Sequence, residues 1–179
     1  MNPLAKELLA RIWSEGSVTG SLIKVDRFLN HMVDPLLIDR LAAELAGRFA
    51  DRKVDKIITA ESSGIMLAQA MARHLGTLFI YAKKKRPLTM AEFLAASSYS
   101  FTKQESTTLY VSREVLLARE NLLFVDDFFA VGSTYKAIEQ IIEQAGAVLV
   151  GAAVIINKSD RRDIESILTL KDLADSKSL

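Results

Sequence analysis

The 179-residue sequence contains no cysteine, and it has only three prolines, two histidines and one tryptophan. Without cysteine the chain can form neither a disulfide framework nor a thiolate metal site. Neither histidine has a metal-ligating partner at the spacing of a known motif. The absence of cysteine is compatible with a reducing compartment, and we expect a cytoplasmic protein.

An excess of charge of one sign is also lacking, because 23 Lys and Arg residues stand against 22 Asp and Glu residues. A balanced chain offers no strong electrostatic reason to bind nucleic acid or a membrane surface. Residues 1–16 include acidic side chains and lack the apolar core of a signal peptide. No apolar run approaches the length of a membrane-spanning helix. We therefore expect neither a nucleic-acid partner nor a membrane.

Short apolar runs alternate along the chain with stripes of apolar residues at helical spacing. The runs predict strands at residues 56–60, 77–82, 109–111, 122–125, 148–156 and 167–170. The stripes predict helices at residues 4–13, 35–49, 64–75 and 135–145, and the tail after residue 174 is expected to fray. Alternating strands and helices indicate an α/β fold with a central, mostly parallel sheet flanked by helices.

Residues 121–135 carry the most chemical information in the sequence. A buried strand is followed by two carboxylates, Asp126 and Asp127, and then by a turn of small residues at 130–134 that opens a helix. Such a turn is a natural phosphate cradle, because the first amides of a helix are free to donate. Adjacent carboxylates repel phosphate and suit sugar hydroxyls or a metal ion. The pattern favours a sugar-phosphate site, but an ordinary buried strand with an acidic turn and a capped helix also fits it.

A second loop, residues 61–64, follows another predicted strand and opens another helix. Its small residues and free amides favour a second anion, although Ser-Ser-Gly loops are also common helix caps. Together the two loops match a ligand with two phosphate ends. The basic run 83–86 is either a solvated surface or a further contact to that ligand. The polar segment 85–108 predicts a mobile lid, with a helical turn at residues 90–96.

The sequence Val125-Asp126-Asp127, followed by the small-residue turn at 130–134, resembles the phosphoribosyl pyrophosphate (PRPP) motif of the type I phosphoribosyltransferases. Further blocks that resemble this family lie at residues 24–31, 34–37, 61–65, 99–104 and 158–159. The blocks at 24–31 and 100–104 are similar to those of family members that act on xanthine. The sequence departs from the family at Val131, where relatives usually carry Thr or Asn, and in a shortened segment after Ser159.

The resemblance implies transfer of the 5-phosphoribosyl group of PRPP to xanthine, which yields xanthosine 5′-monophosphate and pyrophosphate in purine salvage. It implies that Asp126 and Asp127 hold the ribose hydroxyls, that Lys103 assists catalysis from the lid, and that Mg²⁺ is held mainly by PRPP, without a direct protein ligand. The other implied contacts are Ala130, Val131, Gly132, Ser133 and Thr134 to the 5′-phosphate, Glu61, Ser62, Ser63, Gly64, Lys83 and Tyr99 to pyrophosphate, and Ile23, Asn30, Phe128 and Lys158 to xanthine.

The resemblance also implies a single domain over residues 1–179, with the type I phosphoribosyltransferase fold. A small hood, formed by residues 17–36 and 157–179, would cover the base. Members of this family are homodimers, and we expect a homodimer here. Two other functions remain open: a phosphoribosyltransferase for guanine, hypoxanthine or adenine, and a non-catalytic PRPP-sensing regulatory domain. A ligand-free architectural domain would leave the acidic pair without a role.

Overall fold

The structure is a computed structural model that describes residues 1–100 and 105–176, with the backbone alone at positions 99, 100 and 105. Its helices are α1 (Pro3–Glu15), α2 (Pro35–Gly47), α3 (Gly64–Leu75), α4 (Ser133–Ala145) and α5 (Leu170–Ser176). Its strands are β1 (Ser17–Thr19), β2 (Leu22–Lys24), β3 (Lys56–Ala60), β4 (Leu78–Ala82), β5 (Phe93–Ser100), β6 (Glu105–Ser112), β7 (Asn121–Phe129), β8 (Val148–Asn157) and β9 (Ile164–Thr169). A π-helical turn, Asp26–Asn30, follows β2.

Five of the strands form one sheet in the order β4-β3-β7-β8-β9, and every pairing in it is parallel. Helix α3 connects β3 to β4, and helix α4 connects β7 to β8. This arrangement confirms the predicted α/β fold with a central parallel sheet flanked by helices. The hairpins β1–β2 and β5–β6 form two separate antiparallel sheets. In the described ranges, no helix has the length and apolar character needed to cross a membrane.

Buried apolar side chains cover the sheet on both faces. Helices α1, α2 and α3 pack on one face through residues such as Leu8, Leu41 and Met71. Helix α4 and the β5–β6 hairpin pack on the other face through residues such as Ile138 and Leu94. The stripes of apolar residues in the sequence are therefore the core-facing sides of these helices. Helices α3 and α4 lie on opposite faces, although they follow adjacent strands.

Several helix ends coincide with residues that favour capping. Asp34 caps α2, because its Oδ1 accepts hydrogen bonds of 3.1 Å from the amides of Leu36 and Leu37. Gly76 and Gly146 close α3 and α4 with φ angles of 65° and 70°, a left-handed conformation that glycine adopts without strain. The boundaries predicted for these helices from capping residues are therefore confirmed.

The predicted helical turn at residues 90–96 is wrong, because β5 begins at Phe93 and pairs with β6 along its whole length. Leu94 and Ala96 are buried and lie opposite Val111 and Leu109, which is the alternation of a strand. Strand β6 supplies the hydrogen-bond partners of β5, so the sequence of residues 90–96 alone does not distinguish a strand from a helical turn. Much of the predicted lid is thus a hairpin, and its closure over a ligand stays a prediction.

The predicted fraying of the tail from residue 174 is wrong for residues 174–176, because α5 continues to Ser176. Residues 177–179 lie outside the described residues. Leu173 is buried, and the indole Nε1 of Trp13 donates to Ser176 Oγ at 3.0 Å, so α5 is attached to α1. The preceding strand β9 is an edge strand of the main sheet, so residues 164–176 divide between the sheet and this helix. The assignment of a hood stays a prediction.

One polar contact joins α1 to the start of α2. Arg11 donates to Asp34 Oδ2 at 2.6 Å and also pairs with Glu15. The Arg11 guanidinium, followed by the Leu37 amide, holds the pKa of Asp34 below its ordinary value. The ionised carboxylate therefore stabilises the fold above the ordinary pKa, and this contribution is lost as the pH falls through the lowered pKa.

We expect Asp34→Asn to lower the melting temperature at pH 7, because the amide still caps α2 but loses its charge pairing with Arg11. Asp34→Ala should lower the melting temperature further, because it also removes the cap. The difference between the wild type and Asp34→Asn should shrink as the pH falls below the ordinary carboxyl range. Thermal unfolding from pH 7 to pH 3 measures it, and a difference that does not depend on pH would contradict this account.

Candidate active site

The two adjacent carboxylates lie inside β7 and not in a loop that follows it. The strand continues to Phe129, because its parallel pairing with β8 extends through Asp126 and Phe128 to its end. The prediction that the strand stops at residue 125 is therefore wrong, and the pair is less open to solvent than we expected. Asp127 is only 8% exposed and Asp126 is half-buried.

The carboxylates contact different surroundings. Asp127 Oδ1 accepts from the Phe128 amide at 2.9 Å, and its Oδ2 accepts from Asn30 Nδ2 at 3.3 Å. Asp126 Oδ1 accepts from the Asp127 amide at 2.9 Å, and its side chain lines a cavity beneath the β5–β6 hairpin. Asp127 therefore faces the π-helical turn, while Asp126 faces this cavity.

Burial, followed by the negative charge of Asp127, raises the pKa of Asp126 well above its ordinary value. Desolvation disfavours the charged form of a carboxyl, and a neighbouring like charge adds to that effect. A ligand that brings positive charge or hydroxyl donors to Asp126 would favour the ionised form. The site is thus suited electrostatically to a ligand with hydroxyl groups and an associated cation.

Residues 130–134 join β7 to α4 and form the wall of a cavity of about 120 Å³. Gly132 has a φ of 75° and precedes the first residue of α4, whose first turn has free amides and lines the cavity through Ser133, Thr134 and Tyr135. A Cβ atom on Gly132 would lie 2.9 Å from Cζ of Phe129. Glycine is required here by both the backbone conformation and the packing.

A second cavity, of about 300 Å³, lies between this loop and the loop that joins β3 to α3. The predicted site residues that line it belong to both loops and to the acidic pair: Glu61, Ser63, Asp126, Ser133 and Thr134. The cavity is also lined by Ala60, Lys84, Ser98, Thr107 and Leu109. Two helix starts and the half-buried carboxyl of Asp126 therefore meet at the carboxyl ends of adjacent strands, where α/β sheets bind ligands.

The loop at residues 61–64 is fixed to the neighbouring strand. The Glu61 amide donates to the Ala82 carbonyl at 3.0 Å, and Glu61 Oε2 accepts from the Lys84 amide at 2.8 Å. The bond between Glu61 and Ser62 is a cis peptide. Lys84 lines the cavity, whereas Lys83 pairs through its backbone with Tyr110. The side chain of Lys83 lies over the ring of Tyr81, with Nζ 4.8 Å from the ring centroid.

The four residues that the sequence suggested for the base lie on the Asp127 side of β7. Asn30, in the π-helical turn, contacts Asp127. Lys158 Nζ lies 5.3 Å from the centroid of the Phe128 ring and donates to the Ser21 carbonyl at 3.0 Å. Ile23 is half-buried in β2 and packs against the same core as Phe128. The β1–β2 hairpin is therefore held next to the ends of β7 and β8.

The structure does not describe the side chains of two predicted lid residues, Lys103 and Tyr99. Lys103 lies outside the described residues. For Tyr99 the structure describes the backbone, which pairs with Ser106 in the β5–β6 hairpin. Their roles stay predictions.

Three residues near the site are absent from the sequence predictions. Thr59 is a fully buried polar residue in β3. Its position as a single threonine next to apolar residues of the strand could have marked it as a candidate site residue. Lys84 lines the larger cavity, but sequence alone did not distinguish it from the other residues of the basic run. Arg161 lies over the rings of Tyr135 and Phe129, at 4.9 Å and 5.6 Å from their centroids. Only the fold brings Arg161 to the back of the 130–134 loop.

The acidic pair is the chemical group best suited to a cation. In the parts of the chain that the structure describes, no cluster of three or more His, Cys, Asp or Glu side chains could hold a metal ion. Mg²⁺ is commonly held by one or two carboxylates together with substrate phosphates and water. Asp126 lines the larger cavity and fits a magnesium ion that arrives with a phosphorylated substrate, whereas Asp127 faces the π-helical turn, so the two carboxylates do not converge on one resident metal ion.

Comparison with known families identifies the class to which this fold and site belong. The model of the phosphoribosyl transferase domain matches residues 24–170. A xanthine phosphoribosyltransferase from Heliobacterium modesticaldum is 43% identical over 158 residues, which cover 88% of this chain and 84% of that protein. A xanthine phosphoribosyltransferase from Brevibacillus brevis is 44% identical over 156 residues, with 86% and 80% covered. The chain therefore belongs to the phosphoribosyltransferase family.

Solved structures agree with this fold. An adenine phosphoribosyltransferase from Rhodothermus marinus superposes with a TM-score of 0.71 and 23% identity, over 94% of this chain and 99% of the other. An adenine phosphoribosyltransferase from Thermoanaerobacter pseudethanolicus gives a TM-score of 0.68 and 24% identity, over 76% and 82%. At this identity the likeness concerns the fold and carries no information on the base.

The substitution Gly132→Ala tests how much the backbone conformation and packing of Gly132 stabilise the loop at residues 130–134. Gly132→Ala should destabilise the protein by about 1–2 kcal/mol for its left-handed backbone, and by roughly 1 kcal/mol more because Phe129 must shift. Gly20→Ala is the matched control, because Gly20 also has a positive φ, 59°, but no atom lies within 4 Å of its Cβ position. Denaturant unfolding measures both variants. Equal losses would show that the contact with Phe129 has no energetic weight.

Proposed function

We propose that this protein transfers the 5-phosphoribosyl group of PRPP to xanthine, producing xanthosine 5′-monophosphate and pyrophosphate in purine salvage. The observation that carries the proposal is the 40–44% identity, over most of the chain, to bacterial xanthine phosphoribosyltransferases. The cavity between the two loops supports it, because it combines two helix starts with the half-buried carboxyl of Asp126. A ligand with phosphate at both ends and hydroxyls between them has this chemistry.

In this proposal the two loops bind the two ends of PRPP. The free amides of residues 130–134 hold the 5′-phosphate, and those of residues 61–64 hold the pyrophosphate, with Lys84 nearby. Val131 is 72% exposed and contributes no polar side chain, so this part of the contact comes from its backbone amide. Lys83, Lys103 and Tyr99 are proposed to add contacts to pyrophosphate from the basic run and the lid.

Asp126 and Asp127 are proposed to hold the ribose hydroxyls. As the bond from ribose C1 to pyrophosphate breaks, positive charge develops on the ribose ring, and fixed carboxylates stabilise that charge. Bound Mg²⁺ would neutralise the charge of the departing pyrophosphate. Closure of the lid over the substrate is proposed to keep water away from the reacting carbon, because hydrolysis of PRPP is the competing reaction.

The base is proposed to bind on the Asp127 side, between Phe128, Asn30, Ile23 and Lys158. Xanthine carries a carbonyl at ring position 2, where guanine has an amino group and hypoxanthine has hydrogen. The Lys158 ammonium can donate to that carbonyl and favours an anionic base. The position of its Nζ, 5.3 Å from the Phe128 centroid, supports a pocket in which the base stacks on the ring and the lysine reads its edge.

The proposal also covers the compartment, the oligomeric state, the metal ion and the segments that close over the substrate. The protein is proposed to act in the cytoplasm as a homodimer, with Mg²⁺ supplied together with PRPP. The lid, residues 85–108, is proposed to close over the bound substrate, and the hood over the base is proposed to comprise residues 17–36 and 157–179.

The proposed reaction is tested by pyrophosphate release from PRPP and Mg²⁺, with xanthine, guanine, hypoxanthine and adenine supplied separately. We expect xanthine to give the highest kcat/KM, by about tenfold or more over the other bases, because unpaired buried polar groups penalise the wrong base. PRPP with Mg²⁺ and no base is the control for hydrolysis. A preference for another base would replace the substrate in this proposal, and release with none of the four would refute the enzymatic function.

A variant of Lys158 tests how the base is read. Lys158→Ala should lower kcat/KM for xanthine by about tenfold to a hundredfold, and for guanine and hypoxanthine by less. Lys171→Ala is the matched control, since Lys171 is an exposed lysine in α5, the helix that follows Lys158 in the chain. Because Lys158 also contacts the Ser21 carbonyl, thermal unfolding of each variant is measured alongside. An equal loss for every base would remove Lys158 from base recognition.

A further inference from the structure

The hydroxyl of Thr59 occupies an unusual position in the core. Thr59 lies in β3, one residue before its end, and has no solvent exposure. Within residues 1–100 and 105–176, its Oγ1 has no hydrogen-bond partner. Burial of an unpaired hydroxyl lowers stability, and a valine of the same shape would avoid that loss. Stability of the folded chain therefore does not account for threonine at this position.

The space around this hydroxyl leads directly to the acidic pair. A Cβ atom built on Gly64 would lie 2.3 Å from Thr59 Oγ1 and 2.6 Å from Asp126 Oδ1. The hydroxyl and the carboxyl therefore converge on the first residue of α3, and the missing side chain of Gly64 leaves the space between them free. Any other residue at position 64 would separate the two oxygens.

The carboxyl of Asp126 has unused capacity for hydrogen bonds. It accepts one hydrogen bond from a described residue, that from the Asp127 amide. A carboxylate has about four acceptor sites, so the Asp126 side chain can accept a further donor. A buried hydroxyl without a described partner and a carboxylate with free acceptor sites thus border the same space beside Gly64.

We propose that Thr59 is a positioning residue for Asp126, whose hydroxyl donates to the carboxylate while Asp126 holds the ribose of the substrate. This inference rests on the proposed function. In the reacting complex the hydroxyl would donate to Asp126 across the space that Gly64 leaves open. An unpaired buried polar group at a functional site is explained when catalysis supplies its partner.

The test compares Thr59→Val with Thr59→Ser in the pyrophosphate-release assay. Thr59→Val should lower kcat by about tenfold while changing KM for PRPP much less, because the hydrogen bond acts on a carboxylate that stabilises developing charge. Thr59→Ser keeps the hydroxyl and should retain most of the wild-type kcat. The melting temperature of Thr59→Val should equal or exceed that of the wild type. A lower kcat could then not be attributed to a loss of stability.

A double-mutant cycle with Asp126→Ala shows whether Thr59 acts through Asp126. In that background Thr59→Val should have almost no additional effect on the residual kcat, because the acceptor is gone. The inference is overturned if Thr59→Val alone has the wild-type kcat, or if the two substitutions multiply in the double variant. The wild-type rate tests the proposed function separately, since the inference concerns only the ratios between variants and their parent.

Discussion

The site depends on one constraint of the sheet: adjacent parallel strands β3 and β7 send their helices to opposite faces. Helix α3 returns on the face covered by α1 and α2, and helix α4 returns on the face covered by the β5–β6 hairpin. The two departing chains therefore leave a crevice between the carboxyl ends of β3 and β7. The starts of both helices line that crevice, and the strand spacing sets the distance between them. Neither loop forms the crevice by itself, because residues of both loops line it.

The same constraint explains why two carboxylates are tolerated inside a buried strand. Parallel pairing with β8 continues past Asp126 and forces the pair into extended backbone, where neighbouring side chains contact different surroundings. Asp127 gains the Asn30 amide and a backbone donor, whereas Asp126 has one backbone donor and a raised pKa. The strand thus creates two carboxyls of unequal character from two identical residues. Such asymmetry is common where a site must bind hydroxyls and neutralise charge in the same step.

The order of strands and helices was readable from sequence wherever the signal was local. The α2 cap at Asp34 and the left-handed glycines at Gly76 and Gly146 are local signals, and they marked real helix ends. The β5 strand was missed because its conformation depends on pairing with β6 and not on a signal within its own short sequence. The last helix was missed because it is short and is held by Trp13, far away in sequence. In the site, the two loops were predictable from composition, while the positions of Lys84 and Arg161 required the fold.

Polar contacts of the β1–β2 hairpin and its π-helical turn link them to the ends of β7 and β8. The Asn30 amide donates to Asp127, and the Lys158 ammonium donates to the Ser21 carbonyl. The first contact joins a residue proposed for the base to a residue proposed for the ribose, so a base that moves Asn30 also changes a hydrogen bond of Asp127. A single hydrogen bond contributes about 1 kcal/mol net, and one to a charged group about 1.5–3 kcal/mol. Exchange of these internal hydrogen bonds for bonds to a ligand therefore has a small net cost, and in the proposed function Asn30 would couple recognition of the base to Asp127.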